Sequence, residues 1–381
     1  ESEAEYATRK ALRAGKSVVE PIYTVEDAMK AVSHFRPCSY GEELQICDGL
    51  KARFSDAGHL MGSASIELWL TEGNISRKVV FSGDIGNYSQ PFIKDPVYIK
   101  DADYVITEST YGDRLHEKTD VDKIDFFADC IQTTLDRGGT LIIPAFAVGR
   151  TQDMLYYVRQ IKVNGMVKGH DDFRVYVDSP LANKATGIYL QVDPEYLDNE
   201  ARRLTDKGIN PLMSPGVLLS ETVDESKAIN TDSTPKVIIS ASGMCDAGRI
   251  RHHLKYGLWK SENMVLFVGY QANGTLGRIL LDGAEMVRIF GDDIAVKAEI
   301  RFMPGKSGHA DKEGLIRWIR AFDPKPQMVF INHGDNEVCD KYRDCLINEY
   351  GFSASAPYSG AEFDLIEGRY TYYPDGKKIK K

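Results

Sequence analysis

The chain has 381 residues, with 47 Lys and Arg against 56 Asp and Glu, and a formal net charge of −9. Hydrophobic residues make up 43% and charged residues 27%, which excludes a disordered, collagen-like or coiled-coil chain. The length exceeds one ordinary core and points to two domains or to one domain with a large insertion, no apolar run approaches the ~20 residues that span a bilayer, and the acidic balance argues only mildly against a nucleic-acid partner.

The amino end lacks both Met and the apolar stretch of a secretory signal. Residues 8–16 read as a helix closed by Gly15, so the chain is expected to be a fragment. Cys38, Cys47, Cys130, Cys245, Cys339 and Cys345 form no C-x-x-C pair and fit reduced thiols of a cytoplasmic protein. Residues 42–46 and 65–70 alternate, which predicts antiparallel strands with one wet face. Further on, β-branched runs recur at 79–81, 104–107, 141–143, 175–177, 237–239, 265–268 and 329–331. Each leads into small or polar residues, so these are predicted strands buried on both faces with functional groups at their carboxyl ends. Amphipathic helices are predicted at 125–135, 151–161 and 311–322, which makes residues 113–300 a parallel sheet covered by helices. A basic tail closes the chain at 377–381.

Three of the eight histidines share a setting that a core histidine would not need. His59 lies in Asp-Ala-Gly-His-Leu-Met-Gly-Ser-Ala (56–64), His309 follows Ser307-Gly308, and His333 precedes Gly334. Adjacent glycines allow close backbone approach, and Asp84 in Ser-Gly-Asp (82–84) adds a carboxylate in the same setting. Imidazoles and carboxylates at strand ends are a ligand set for zinc. Singly, each is a turn or a loop; jointly, they point to one pocket. His252-His253 reads as a solvated basic helix face, and His34, His116 and His170 as structural or surface residues. Residues 307–310, at a helix amino end, are expected to offer free N–H groups to a phosphate. Arg249, Arg251 and Lys255 fit either phosphate counter-charges or a soluble helix face.

In chain order, the segments 56–64, Phe-Ser-Gly-Asp-Ile-Gly (81–86) and Glu-Ser-Thr-Tyr-Gly (108–112) are followed by Pro-Ala-Phe-Ala-Val-Gly-Arg (144–150) and Ser-Ala-Ser-Gly-Met (240–244). Ser-Gly-His-Ala-Asp (307–311) and Asn-His-Gly-Asp (332–335) complete the series. Together they resemble the motifs of metallo-β-lactamase-fold nucleases with a β-CASP domain, and most of all the short bacterial and archaeal members related to the cleavage-and-polyadenylation endonuclease. The resemblance implies an α/β fold: an αββα sandwich, incomplete at its amino end, with an inserted doubly wound β-CASP domain. It divides the chain into a hydrolase part at 1–111, the β-CASP domain at 112–301 and a second hydrolase part at 302–381.

The same resemblance implies a metal-dependent ribonuclease that cleaves single-stranded RNA by a two-metal mechanism, with two zinc ions per complete site and manganese also accommodated. His59, Asp84 and His333 would be metal ligands, with Asp84 bridging. Glu108 and His309 would act as a catalytic pair beside Asp84, His309 giving a proton to the leaving oxygen. Ser242, Gly243, Arg278, Ser307 and Gly308 would contact the RNA backbone. No membrane partner is implied, and a homodimer is left open. The family's main metal motif, His-x-His-x-Asp-His, occurs nowhere in these residues. It is expected upstream of position 1, so a di-zinc site is not expected from this chain alone. A non-catalytic RNA-binding scaffold is the alternative reading, and a small-ester hydrolase on the same fold a third.

Overall fold

Alternation along the chain builds one sheet and β-branched runs build another. A computed structural model describes residues 2–116, 122–303 and 307–374; the basic tail at 377–381 lies outside them. Residues 1–42 form one compact unit and residues 43–381 a second. The first holds helices α1 (Ser2–Arg13) and α2 (Val25–Ser33). Thr24 and Asp27 close α2 with a capping box, the Thr24 hydroxyl accepting the Asp27 N–H at 3.2 Å.

The second unit opens with β1 (Glu43–Cys47), β2 (Leu50–Asp56), β3 (Ala64–Glu72), β4 (Ile75–Phe81) and β5 (Tyr104–Thr107). Then come α3 (Lys123–Asp136), β6 (Thr140–Pro144), α4 (Arg150–Val163), β7 (Arg174–Val177), α5 (Pro180–Tyr189), α6 (Asn199–Asp206) and β8 (Val217–Leu219). The chain continues through α7 (Val223–Thr231), β9 (Lys236–Ser240), α8 (Ile250–Gly257), β10 (Met264–Phe267) and α9 (Leu276–Leu281). A hairpin of β11 (Met286–Ile289) and β12 (Asp292–Ala295) precedes β13 (Glu299–Phe302). The last elements are α10 (Lys312–Ile319), β14 (Met328–Ile331), α11 (Asn336–Asn348), β15 (Ala354–Ser355), β16 (Glu362–Asp364) and β17 (Arg369–Tyr372).

Seven strands form a mixed sheet in the order β1-β2-β3-β4-β5-β14-β15. Pairing is antiparallel from β1 to β4 and parallel from β4 to β15. One face packs Val80, Val105, Val329 and Ile331 against Leu315, Trp318, Ile319, Tyr342 and Leu346 of α10 and α11. On the opposite face Val79, Tyr104 and Phe330 meet Phe363, Leu365 and Tyr370 of the β16–β17 ribbon.

The expected wet face of β3 is a correction. Glu67, 1% exposed, is buried between Arg53 (Nη2–Oε2 2.7 Å) and Lys78 (Nζ–Oε2 2.8 Å), and both cations lie over the Trp69 ring. Asp101 and Asp103, in the segment before β5, reach back to Lys78 and cover what alternation alone would leave in water. Burial would raise the Glu67 carboxyl, but Arg53 and Lys78 hold it below the usual range.

Six strands form an all-parallel sheet in the order β13-β10-β6-β9-β7-β8. Leu141, Ile143, Val237 and Ile239 face the core built with α3 and α4, while Ile142, Val265 and Phe267 face α8 and α9. Helices therefore cover both sides, and the chain is an α/β protein with one mixed and one parallel sheet.

His253 is a second correction. It is not on a solvated face: buried on α8, its Nε2 lies 2.7 Å from Asp178 Oδ2 and its Nδ1 2.8 Å from Asn230 Oδ1. Ser226 Oγ donates to Asp178 Oδ2 at 2.5 Å, and Arg249 Nη1 to Asp178 Oδ1 at 2.7 Å. Arg249 is thus absorbed in this cluster, and Lys255 pairs with Asp292 at 2.6 Å, so neither is a free phosphate counter-charge. Burial opposes ionisation of Asp178, yet His253, Ser226 and Arg249 outweigh it and bring the carboxyl down to about 2.

A carboxyl depressed in the folded state stabilises above its unfolded pKa, here by roughly 2–3 kcal/mol, and that contribution fades as pH falls from about 4 towards 2. Asp178→Asn leaves the Arg249 charge without its partner and is expected to cost about 3–5 kcal/mol. Thermal melts across pH 2–7 check both effects: the variant should melt lower at neutral pH, and the wild-type advantage should shrink in acid.

Candidate functional site

Four loops at the strand ends of the mixed sheet converge with the segment that precedes α10. After β2, Gly58 takes a left-handed turn (φ +65°) where any Cβ would meet the Pro96 backbone, and the Ser63 hydroxyl accepts the His59 and Leu60 N–H groups, each at 3.1 Å. After β4, Gly83 turns with φ +59° and delivers Asp84. Gly86 N donates to Ala57 O at 2.8 Å, and a Cβ on Gly86 would stand 1.7 Å from the Gly58 carbonyl, so the His59 and Asp84 loops touch backbone to backbone. Glu108 ends β5. His333 follows β14 with φ +50°, a strained setting for a residue with a side chain.

The side chains meet. Asp84 Oδ2 lies 4.0 Å from His59 Nε2, and Asp84 Oδ1 lies 3.3 Å from His333 Nδ1. Ligand atoms of His59, Asp84 and His309 all lie within 4.8 Å of one another, as do those of Asp84, Glu108 and His333. The His309 ring is centred 4.4 Å from that of His59 and 6.1 Å from that of His333. His59 Nδ1 is buried beside Gly308, whose backbone engages the ring. Burial, reinforced by the neighbouring His309, lowers the His59 pKa and favours the neutral imidazole that binds metal. An imidazole Nε2 facing a half-exposed carboxylate, with a further imidazole donor within 4.8 Å, is a donor set that fits zinc.

Glu108 is 3% exposed and fully engaged. Its Oε1 accepts the Ile85 N–H at 2.6 Å, its Oε2 accepts the Thr110 hydroxyl at 2.6 Å, and both oxygens lie 3.1 Å from His309 Nδ1. Burial works against its charge, but the His309, Thr110 and Ile85 contacts win and hold it below the ordinary carboxylate range. For His309 burial opposes protonation and Glu108 more than compensates, so its pKa is raised. The arrangement fixes Nδ1 as the nitrogen turned to Glu108 and leaves Nε2 for other work.

The segment 307–310 differs from expectation. The α10 helix begins at Lys312 with Asp311 as its N-cap, matching the predicted start, and His309 sits before it in an isolated bridge to Gly86. The His309 N–H is taken by Ser307 Oγ at 3.2 Å and the Ala310 N–H by Ile85 O at 2.8 Å, so the N–H groups of 309 and 310 are not free for a phosphate. Gly308 makes room for the His59 ring, since a Cβ there would lie 2.9 Å from His59 Cε1.

Of the other expected RNA contacts, Ser242 donates to Ala247 O at 3.2 Å and Gly243 lies under the Phe146 ring. Arg278 is paired with Asp282. Residues not anticipated are Thr110, which was visible within the 108–112 motif, and His116, whose Nε2 lies 2.9 Å from the His309 carbonyl oxygen. No spacing signal marks His116; its role arises from the chain crossing.

Residues 151–280 match the family model described as Beta-Casp domain, and residues 293–357 match the Zn-dependent metallo-hydrolase RNA specificity domain. Ribonuclease TTHA0252 of Thermus thermophilus is 36% identical over 324 residues, covering 84% of this chain and 71% of that protein. An RNase J-like protein of Methanocaldococcus jannaschii is 32% identical over 315 residues, covering 82% and 70%. Transcription termination factor FttA of Methanosarcina mazei is 31% identical over 319 residues, covering 81% of this chain and 49% of its own length. No helix among the described residues is long and apolar enough to cross a membrane. With β7–β10 of its parallel sheet in the first matched segment and His309 and His333 in the second, the chain belongs to the β-CASP family of metallo-β-lactamase-fold ribonucleases.

Proposed function

We propose that this protein is a zinc-dependent ribonuclease that hydrolyses phosphodiester bonds of single-stranded RNA in RNA processing or decay. The observation that carries the reading is the Glu108–His309 pair set against Asp84, which itself lies between His59 and His333. His59, Asp84 and His333 would hold the metal, with manganese an acceptable substitute for zinc. When bound, paired divalent cations polarise a phosphoryl oxygen and make a water molecule more acidic.

The chain's own residues then have distinct work. Glu108 orients the His309 ring through Nδ1 and favours its protonated form, so that Nε2 carries a proton for the departing 3′ oxygen. Thr110 and the Ile85 N–H keep Glu108 ionised and in place. Within residues 43–381, the hydrolase domain would comprise the strands up to β5 together with β14 onward, and the β-CASP domain the β6–β10 and β13 sheet. Pairing of β13 with β10 supports a second boundary just beyond Phe302 in this reading.

Three donors outside the catalytic pair fall short of two complete tetrahedral zinc sites. This chain alone should therefore take up fewer than two equivalents of zinc and release it readily to a chelating dye. In the full-length protein, Asp84→Asn and His333→Ala should cut zinc-dependent cleavage of a single-stranded RNA at least ~100-fold. His309→Ala should cost about 10²–10⁴-fold. Undiminished cleavage by His333→Ala would overturn the metal assignment, and equal cleavage of matched RNA and DNA oligomers would overturn the RNA preference. Gly308→Ala, which crowds the His59 ring, should weaken zinc binding about tenfold with the fold intact, as read by dye competition.

A further inference from the structure

Two aromatic side chains stand in solvent at the carboxyl edge of the parallel sheet. Phe146, 44% exposed, follows β6, and Tyr270, 51% exposed, follows β10. These strands are neighbours, and β9, on the other side of β6, delivers Ser242 and Gly243 to the same edge. The loops are laced together: Gln271 Nε2 donates to Gly243 O at 2.9 Å, and Gly277 N to Met244 O at 3.1 Å.

A single exposed aromatic is ordinary. Phe146 is distinguished by its seat and its neighbours. A Cβ on Gly243 would lie 3.0 Å from Phe146 Cδ2 and 3.1 Å from Cε2, so the missing side chain at 243 is what lets the ring lie where it does. Three residues on, Gly149 (φ +80°) leans on Leu60, with a Cβ there falling 2.2 Å from Leu60 Cδ2. Leu60 adjoins His59, so the Phe146 loop rests directly on the loop that carries a candidate metal ligand. A ring held at one side, open at the other and placed beside a cleavage site is suited to a flat aromatic ligand.

We infer that Phe146 is a stacking platform for one nucleobase of the bound RNA, with Tyr270 flanking the same edge. The inference rests on the ribonuclease reading and deepens it. Base stacking accepts any of the four bases and requires the base to be unpaired, so this contact would select single-stranded RNA without selecting sequence. It also gives Gly243 a function in seating the ring rather than in cradling a phosphate.

The test uses the full-length protein, a fluorescein-labelled single-stranded RNA of about 12 nucleotides and excess chelator, so that anisotropy reads binding without cleavage. Phe146→Ala and Phe146→Leu should weaken binding by about 5- to 150-fold, the equivalent of ~1–3 kcal/mol for one stacked base, and Phe146→Trp should restore it. The leucine variant keeps an apolar group on Gly243 and guards against a folding defect in the alanine one. An abasic nucleotide is then walked along the RNA. At one position it should cost the wild type what Phe146→Leu costs on intact RNA, and should add nothing in the variant. Wild-type affinity in Phe146→Leu, or equal losses in both proteins at every abasic position, would overturn the proposal. Failure of the ribonuclease reading looks different: the stacking signature persists, and added zinc or manganese produces no cleavage.

Discussion

The site depends on one buried carboxylate. Glu108 accepts the Ile85 N–H, the Thr110 hydroxyl and the His309 ring nitrogen, so a single side chain joins the ends of β4 and β5 to the bridge before α10. Removing it from water is unfavourable, and three directed donors are what make the ionised form tolerable. The positions of Asp84 and His309 follow from that satisfaction, because the residue next to Asp84 is one donor and His309 is another. His333 is drawn in from β14 by the same strand-end geometry, with the Ser109 N–H bonded to its carbonyl at 3.3 Å.

Much of the architecture was legible in the sequence because its signals are local. Alternation at 65–70 and the β-branched runs at 141–143, 237–239 and 265–268 need only the strand period and burial on two faces, and they became β3, β6, β9 and β10. The gathering of positions 59, 84, 309 and 333 was legible for another reason: glycines beside polar residues mark loops forced into close approach. What escaped was long-range. Glu67 reads as solvent-facing from its strand neighbours, and only the segment carrying Asp101 and Asp103 shows otherwise. His253 reads as one of a basic run until Asp178, from a different strand end, is found against it. Residues 307–310 read as a source of free N–H groups because sequence cannot reveal that Ser307 Oγ and the Ile85 carbonyl take those of His309 and Ala310.

Small residues set the close approaches around the site. Gly149 yields to Leu60, Gly243 yields to Phe146, and Gly308 yields to the His59 ring. Each contact sits where a loop of one sheet reaches another loop or a candidate ligand. The buried Asp178–His253–Arg249 cluster secures the carboxyl end of β7 beside this region, which keeps the parallel sheet's loop edge in a fixed shape.

The crossing of Gly58 and Gly86 has an outcome for how such a protein can change. With no space for even a methyl group between the two main chains, the frame around His59 and Asp84 admits neither widening nor insertion. Change at this site must therefore proceed by exchanging the groups that project from the scaffold, or by altering the loop after β6 that rests on Leu60.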